Sequence, residues 1–257
     1  ISNIGHRGYP TVGREAEITM LLDRLRKADS GAGQVVLVSA EPGVGKSRLV
    51  HEIELRAGRG VRRVRLQCVA HQRDAAFHPV LESLALAAEL EQCANDATRQ
   101  AAFESWLIGS GAAPERIMPP LMPLLVGSGE DGDTPTLEPQ QLRRRTFDAM
   151  TAIVRCLAGG TTLLLIVEDL HWMDPSTEAL VERLIEECRT MSLLMVLTCR
   201  PEYRPAWTTA PHVTALELNH LTRDESRELV SGIAAQIALP MVLVERIVER
   251  ADGVPLY

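Results

Sequence analysis

The run Ala40-Glu41-Pro42-Gly43-Val44-Gly45-Lys46-Ser47 carries, in order, the glycines, lysine and hydroxyl from which a polyphosphate site can be built. In a glycine-rich turn that opens a helix, the backbone N–H groups from about Gly43 onward point inward and join the positive end of the helix dipole. Phosphate oxygens are then held largely by main chain. Lys46 would reach the β and γ phosphates as a point charge, and the Ser47 hydroxyl would ligate a magnesium ion bridging them. Ala40 stands where such loops usually carry their first glycine. A second run, Leu163-Leu164-Leu165-Ile166-Val167-Glu168-Asp169, is apolar until it ends in two carboxylates. Acids at the carboxyl end of a buried parallel strand stand where ligands of open α/β sheets gather. Glu168 reads as the metal-side acid and Asp169 as the acid that orients the attacking water, although an aspartate more often comes first.

Both runs need elements that hold them in place. Gln34-Val35-Val36-Leu37-Val38-Ser39 reads as a buried strand before the loop, and Arg48-Leu49-Val50-His51-Glu52-Ile53 has the spacing of a helix packed on one side. Residues 15–27 show a helical apolar face. Residues 61–69 alternate arginine with apolar residues and predict an edge strand. Helical patterns follow at 79–90, 99–107 and 139–158, with Pro- and Gly-rich ground from 112 to 139 expected to be irregular with short helices. Asp174-Pro175 is a helix start with Asp as N-cap and Pro at the first helical position. Its helix covers 176–190. Strands are expected at 193–199 and 213–218, then two amphipathic helices at 222–236 and 240–250. Strands alternating with helices imply an α/β fold, a parallel sheet covered by helices on both faces.

Composition agrees with such a module. The chain has 257 residues with 46% hydrophobic, 24% charged and only 4% aromatic residues, so the core should be aliphatic. Net charge of −7 gives no global attraction to nucleic acid or anionic membrane, and Arg143 to Arg145 read as a solvated helix face. The five cysteines show no zinc-ligand spacing, and Cys68 and Cys199 fall on expected strands as small buried hydrophobes; a reducing cytoplasm is the default setting. No apolar run approaches the roughly twenty residues needed to cross a bilayer. The first residue, Ile1, and the last four, Val254-Pro255-Leu256-Tyr257, read as the ends of a piece cut from a longer polypeptide.

Three more segments fall in the order that one nucleotide pocket would need. Thr11-Val12-Gly13-Arg14-Glu15-Ala16-Glu17, Thr198-Cys199-Arg200-Pro201-Glu202 and Asp252-Gly253-Val254-Pro255-Leu256, together with Glu168-Asp169-Leu170-His171-Trp172-Met173-Asp174-Pro175-Ser176, resemble the signatures of STAND/AAA-type P-loop ATPases. The likeness is greatest to modules attached to class III adenylate/guanylate cyclases and to large LuxR-type transcriptional activators. It implies a nucleotide-binding domain over 1–219 and the start of a helical lid over 220–257. It places Val12, Gly13 and Arg14 against adenine, Arg200 near the γ phosphate, and Pro255 against the base. The nucleotide site would then comprise these residues with Glu41, Pro42, Gly43, Val44, Gly45, Lys46, Ser47 and Arg48. Catalysis would fall to Lys46, Glu168, Asp169 and Arg200, with the metal on Ser47 and Glu168.

The resulting expectation is a magnesium-dependent ATP/ADP switch of low turnover within a larger signalling protein. Attached effector or sensor domains and nucleotide-dependent self-association are the expected partnerships, with neither nucleic acid nor membrane bound by this segment. A nucleotide-holding scaffold without turnover and a small-molecule kinase are the alternatives, while a DNA-binding regulator lacks a basic recognition helix here. Adenine is preferred on the resemblance, and no guanine-specific Asn-Lys-x-Asp segment occurs. His71, His78 and His171 are read as structural because phosphate chemistry at such a loop needs no histidine. Trp172 is read as packing.

Overall fold

Two central strands set the architecture. β3 (Leu163–Glu168) and β4 (Leu193–Cys199) are buried at every position, the mark of strands covered on both faces. The computed structural model describes residues 11–126, 138–237 and 240–255. In it β1 (Gln34–Ser39), β2 (Arg62–Gln67) and β5 (Val213–Glu217) complete a parallel sheet in the order β2-β3-β4-β1-β5. All carboxyl ends therefore lie along one rim of the sheet.

Alternation along the strands divides the core. Val36, Val38, Leu164, Ile166, Leu194 and Val196 point to one face and pack against α1 (Glu15–Asp29) and α2 (Lys46–Arg56). Their neighbours Val35, Leu37, Leu165, Val167, Met195 and Leu197 point to the other. That face is covered by α3 (His78–Ala87), α4 (Asp96–Gly109), α5 (Pro114–Val126), α6 (Pro139–Gly159) and α7 (Pro175–Glu187). β2 is the expected edge strand, and its arginines tie it down. Arg63 donates to the Glu54 and Gly58 carbonyls beyond the middle of α2, and Arg62 to the Leu157 carbonyl of α6. Charged side chains on an edge also discourage pairing with another chain.

The long helices fall close to their expected places, and Asp174 caps α7 by accepting from Ser176 and Thr177 N–H groups. The same carboxylate accepts from Phe77 N–H, fixing the entry to α3. One expectation fails. In the ground from 112 to 139, expected to be irregular with short helices, residues 114–126 form the continuous 13-residue helix α5, with Pro119, Pro120 and Pro123 inside it; positions 127–137 lie outside the described residues. An interior proline costs about 3 kcal/mol in an isolated helix. Here Ile117, Met118, Pro120 and Leu121 are buried, and packing against α4 and α6 outweighs the local preference. Cys68 also lies one residue past β2 rather than on it, although its N–H still donates to the Glu168 carbonyl and extends the ladder. Burial pushes its thiol up to about 12, which makes it an inert hydrophobe. After β5 the chain runs into α8 (Arg223–Ile237) and α9 (Met241–Ala251), which pack on each other. Among the described residues no helix is long and apolar enough to cross a membrane.

Candidate nucleotide-binding site

The loop from Ala40 to Gly45 joins β1 to α2, and two left-handed residues shape it: Gly43 at φ 85° and Gly45 at φ 112°. Gly45 is the N-cap of α2 and offers no side chain of its own to cap the first-turn N–H groups, the arrangement in which a helix start receives an anion. No acidic residue stands in that first turn to neutralise the dipole. Val44 is 1% exposed and anchors the loop in the core between α1 and α2. Ala40 needs no glycine: its φ is not left-handed and its methyl is buried in the same core. Glu41, Pro42 and Ser47 are exposed at the loop rim.

Lys46 folds back over the loop. Its Nζ donates to the Ala40 carbonyl at 2.7 Å and the Glu41 carbonyl at 3.1 Å, the position from which a phosphate would draw it. Burial pushes its ammonium below the usual lysine value, while the nearby Asp169 carboxylate pulls the other way. Arg48 donates to Thr11 Oγ1 at 2.9 Å, and Thr11 in turn donates to Glu52. The segment before α1 is thereby stitched to α2.

The two acids at the end of β3 have different surroundings. Asp169 adopts φ 60°, a left-handed conformation that aspartate tolerates. Its N–H donates to Thr198 Oγ1 at 3.1 Å and its Oδ2 accepts from Gln67 Nε2 at 3.1 Å. Asp169 is thus held from both flanking strands, its main chain by β4 and its carboxylate by the end of β2. Glu168 is 3% exposed and pairs with Arg65 at 3.4 Å. Gln67 and Arg65 have no role in the reading of the sequence alone, and Thr198 enters it only as the first residue of the segment to Glu202, because strand pairing brings them in: Gln67 lies in register with Glu168.

Arg14 is 7% exposed and its guanidinium joins three parts of the chain. It donates to the Val44 carbonyl of the loop at 3.3 Å, to the Asn219 carbonyl at 2.6 Å, and to Glu17 at 3.3 Å. Val12 is buried beside it. Gly13, at φ 67°, meets the first turn of α8 so closely that an added Cβ would fall 2.5 Å from the Glu225 carboxyl carbon. Glu225 itself accepts from the N–H and hydroxyl of Thr222, closing a capping box at the start of α8. Gly13→Ala should therefore cost the left-handed strain of about 1 kcal/mol and also push Glu225 out of its cap. We expect faster proteolysis within 223–251 while the sheet stays protected; equal cleavage of both proteins would mean that Gly13 does not bear on α8. Gly253 returns to the same place, its carbonyl accepting from Leu221 N–H at 2.9 Å. Pro255 is exposed two residues further on. Leu256 lies outside the described residues.

Arg200, just beyond β4, stands with its guanidinium carbon 5.6 Å from the Trp172 ring centroid. His171 lies against the same indole, its ring nitrogens buried without hydrogen-bond partners among the described residues. Burial lowers its pKa, Asp169 opposes that, and Arg200 and Lys46 add to it, so the imidazole is neutral at pH 7. Trp172 packs against the core as expected. Arg143 to Arg145 are exposed on α6, also as expected.

Among the described residues no group of three or more His, Cys, Asp or Glu could hold a metal alone. A magnesium ion here would take most ligands from phosphate oxygens and water, which suits its chemistry. The exposed Ser47 hydroxyl and the two carboxylates at the end of β3 are a donor set of that oxygen-only kind.

The AAA ATPase domain family matches residues 10–197. An uncharacterised protein of Rhizobium meliloti (strain 1021) is 26% identical over 256 residues, covering 98% of this chain and 25% of that protein. The chain thus spans a quarter of the length of that curated relative. Among solved structures, the E. coli MS115-1 HORMA:CdnC:Trip13 complex superposes with a TM-score of 0.51 at 13% identity, covering 93% of this chain and 73% of that one. The Aeropyrum pernix ORC1 protein in complex with DNA gives 0.50 at 15% identity, covering 89% and 51%. At such identities the structural likeness speaks for the fold alone. The match to residues 10–197 covers well over half of the chain, and with its parallel sheet, its glycine-shaped phosphate loop and its acid-tipped β3 the protein belongs to the AAA ATPase domain family of P-loop nucleotide-binding proteins.

Proposed function

We propose that this domain is an adenine-nucleotide switch that binds ATP with magnesium and hydrolyses it slowly within a larger cytoplasmic signalling polypeptide. The observation that carries the reading is Arg14, whose one buried guanidinium binds both the phosphate loop at Val44 and the main chain at Asn219. Loop occupancy can therefore bias the chain from Asn219 onward. In this reading residues 1–219 bind nucleotide and 220–257 begin a helical lid, with Val12, Gly13 and Pro255 toward the adenine. Ser47 and Glu168 would hold a magnesium ion, which would supply positive charge to the phosphates. Lys46 and Arg200 bear γ-phosphate charge, and Asp169 orients the water whose attack on the γ phosphorus breaks the bond to the β-bridging oxygen and releases ADP. The output would be an attached effector or sensor domain, of the cyclase-associated or transcription-regulating kind, with self-association depending on the nucleotide.

The test is isothermal titration with ATP, ADP and GTP, with and without magnesium, joined to limited proteolysis in each state. ATP should bind best with magnesium, GTP poorly, and cleavage within 223–251 should differ between ATP and ADP. No nucleotide binding, or identical cleavage patterns in both states, would sink the switch. The pairing of Glu168 with Arg65 favours one second reading, a scaffold that holds nucleotide without turnover. Single-turnover hydrolysis separates the two.

A further inference from the structure

Trp172 carries not one guanidinium but two. The Arg200 carbon lies 5.6 Å from its ring centroid and the Arg73 carbon 5.9 Å from the same centroid. Among the described residues neither arginine forms an ion pair, although Asp169 and Glu202 are both near enough to act on the His171 ring beside them. Arg73 comes from the segment between β2 and α3, Arg200 from the end of β4, and Trp172 from the turn after β3. Three elements at the carboxyl rim of the sheet thus converge on one indole.

The indole is a fixed platform. Asp169 opens the 3-10 turn Leu170–Trp172, its carbonyl accepting from Trp172 N–H at 2.8 Å, and the ring packs against the core and against His171. A guanidinium on a carboxylate spends its planar fork on that partner, whereas one on an aromatic face leaves its edge N–H donors available. A ring contact is also weaker than a charge-assisted bond to phosphate, so an arriving anion can take the arginine from it. Two like charges beside one ring repel each other, and an anion between them relieves that.

We propose that Trp172 is a positioning residue that holds the guanidinium groups of Arg200 and Arg73 away from carboxylate partners and available to a terminal phosphate, which makes Arg73 a further determinant of ATP over ADP. This rests on the nucleotide-switch reading above. ADP offers no γ phosphate, so only ATP draws the arginines from the ring, and such a differential contact is what allows a ligand to shift a conformational equilibrium.

The experiment uses the tryptophan itself. The sequence holds three, at 106, 172 and 207, so Trp106→Phe with Trp207→Phe leaves Trp172 as the sole emitter. A non-hydrolysable ATP analogue should change its emission, ADP should leave it near the free state, and adding Arg200→Ala should abolish the change. In the otherwise native protein, Trp172→Leu and Arg200→Ala should each bring ATP and ADP affinities within about threefold of each other, while Trp172→Phe keeps the native ratio. Arg73→Ala should weaken ATP by about three- to tenfold and leave ADP alone. If ATP and ADP move the emission alike, or Trp172→Leu keeps the native ratio, Trp172 does not position these arginines and the nucleotide switch stands without it. If neither nucleotide binds the native protein, both readings fall together. Should Trp172→Leu fail to fold, the emission of the sole-tryptophan protein still decides.

Discussion

Asp169→Asn is expected to bind Mg-ATP within about threefold of wild type and to lose about 100-fold or more of its single-turnover hydrolysis. The fold should tolerate the change. Asparagine adopts the left-handed conformation that Asp169 holds at φ 60°, its backbone N–H still reaches Thr198 Oγ1, and its side-chain oxygen can still accept from Gln67. The variant loses the negative charge that would orient the attacking water. That charge also sits close enough to Lys46 to act on its ammonium, so removing it lessens repulsion of the nucleotide and should not weaken binding. Glu168→Gln makes the contrast. It removes the charge with which buried Glu168 pairs with the exposed Arg65 and is expected chiefly to raise the magnesium concentration needed for binding. Rapid-quench hydrolysis and titration on the same preparations check both variants. Wild-type hydrolysis below detection would favour the scaffold, and an Asp169→Asn protein that hydrolyses as wild type does would take Asp169 out of the chemistry.

The parts of this site that could be read from sequence are those whose physics is local. A lysine after two glycines at a strand-to-helix junction, an apolar run ending in acids, and Asp174-Pro175 at a helix start each report on their own few residues, and the structure has the matching strand, turn or cap at each. The contacts that escaped are those that pairing across the sheet creates. Gln67 is one polar residue at the end of an arginine-rich edge strand, and only its register with Glu168 places its amide on Asp169. Arg65 alternates outward in the same strand and reaches Glu168 for the same reason. Asn219 contributes a carbonyl, which no side-chain pattern can announce, to an arginine 205 residues earlier in the chain. Arg73 and Arg200 are 127 positions apart by their numbering and share a ring supplied by a third segment. The helix with three internal prolines escaped by the opposite route: the local signal was strong, and burial of Ile117, Met118, Pro120 and Leu121 overrode it.

Lys46→Ala should weaken ATP binding by at least about 2 kcal/mol, or roughly 30-fold. Lys46 is the one cation inside the loop itself, and charge-assisted bonds to phosphate are among the stronger polar contacts a protein makes. In the structure its ammonium is held by the Ala40 and Glu41 carbonyls, so binding exchanges two neutral acceptors for a charged one. That exchange limits the loss, because the backbone N–H groups of the loop and the end of α2 still face the phosphates in the variant. It also predicts a difference between ligands. AMP, which lacks the β and γ phosphates that Lys46 would reach, should bind the variant nearly as well as wild type, whereas ADP and ATP should both lose affinity. The fold should survive, since Val44 and Ala40 anchor the loop in the core without the lysine, and the melting curve of the free protein should move by only a few degrees for a loss of about 1 kcal/mol. Titration of both proteins with ATP, ADP and AMP gives the result. Equal ATP affinity in the two would remove the phosphate cradle from this loop, and an equal loss for all three nucleotides would place Lys46 nearer the α phosphate than its reach toward β and γ requires.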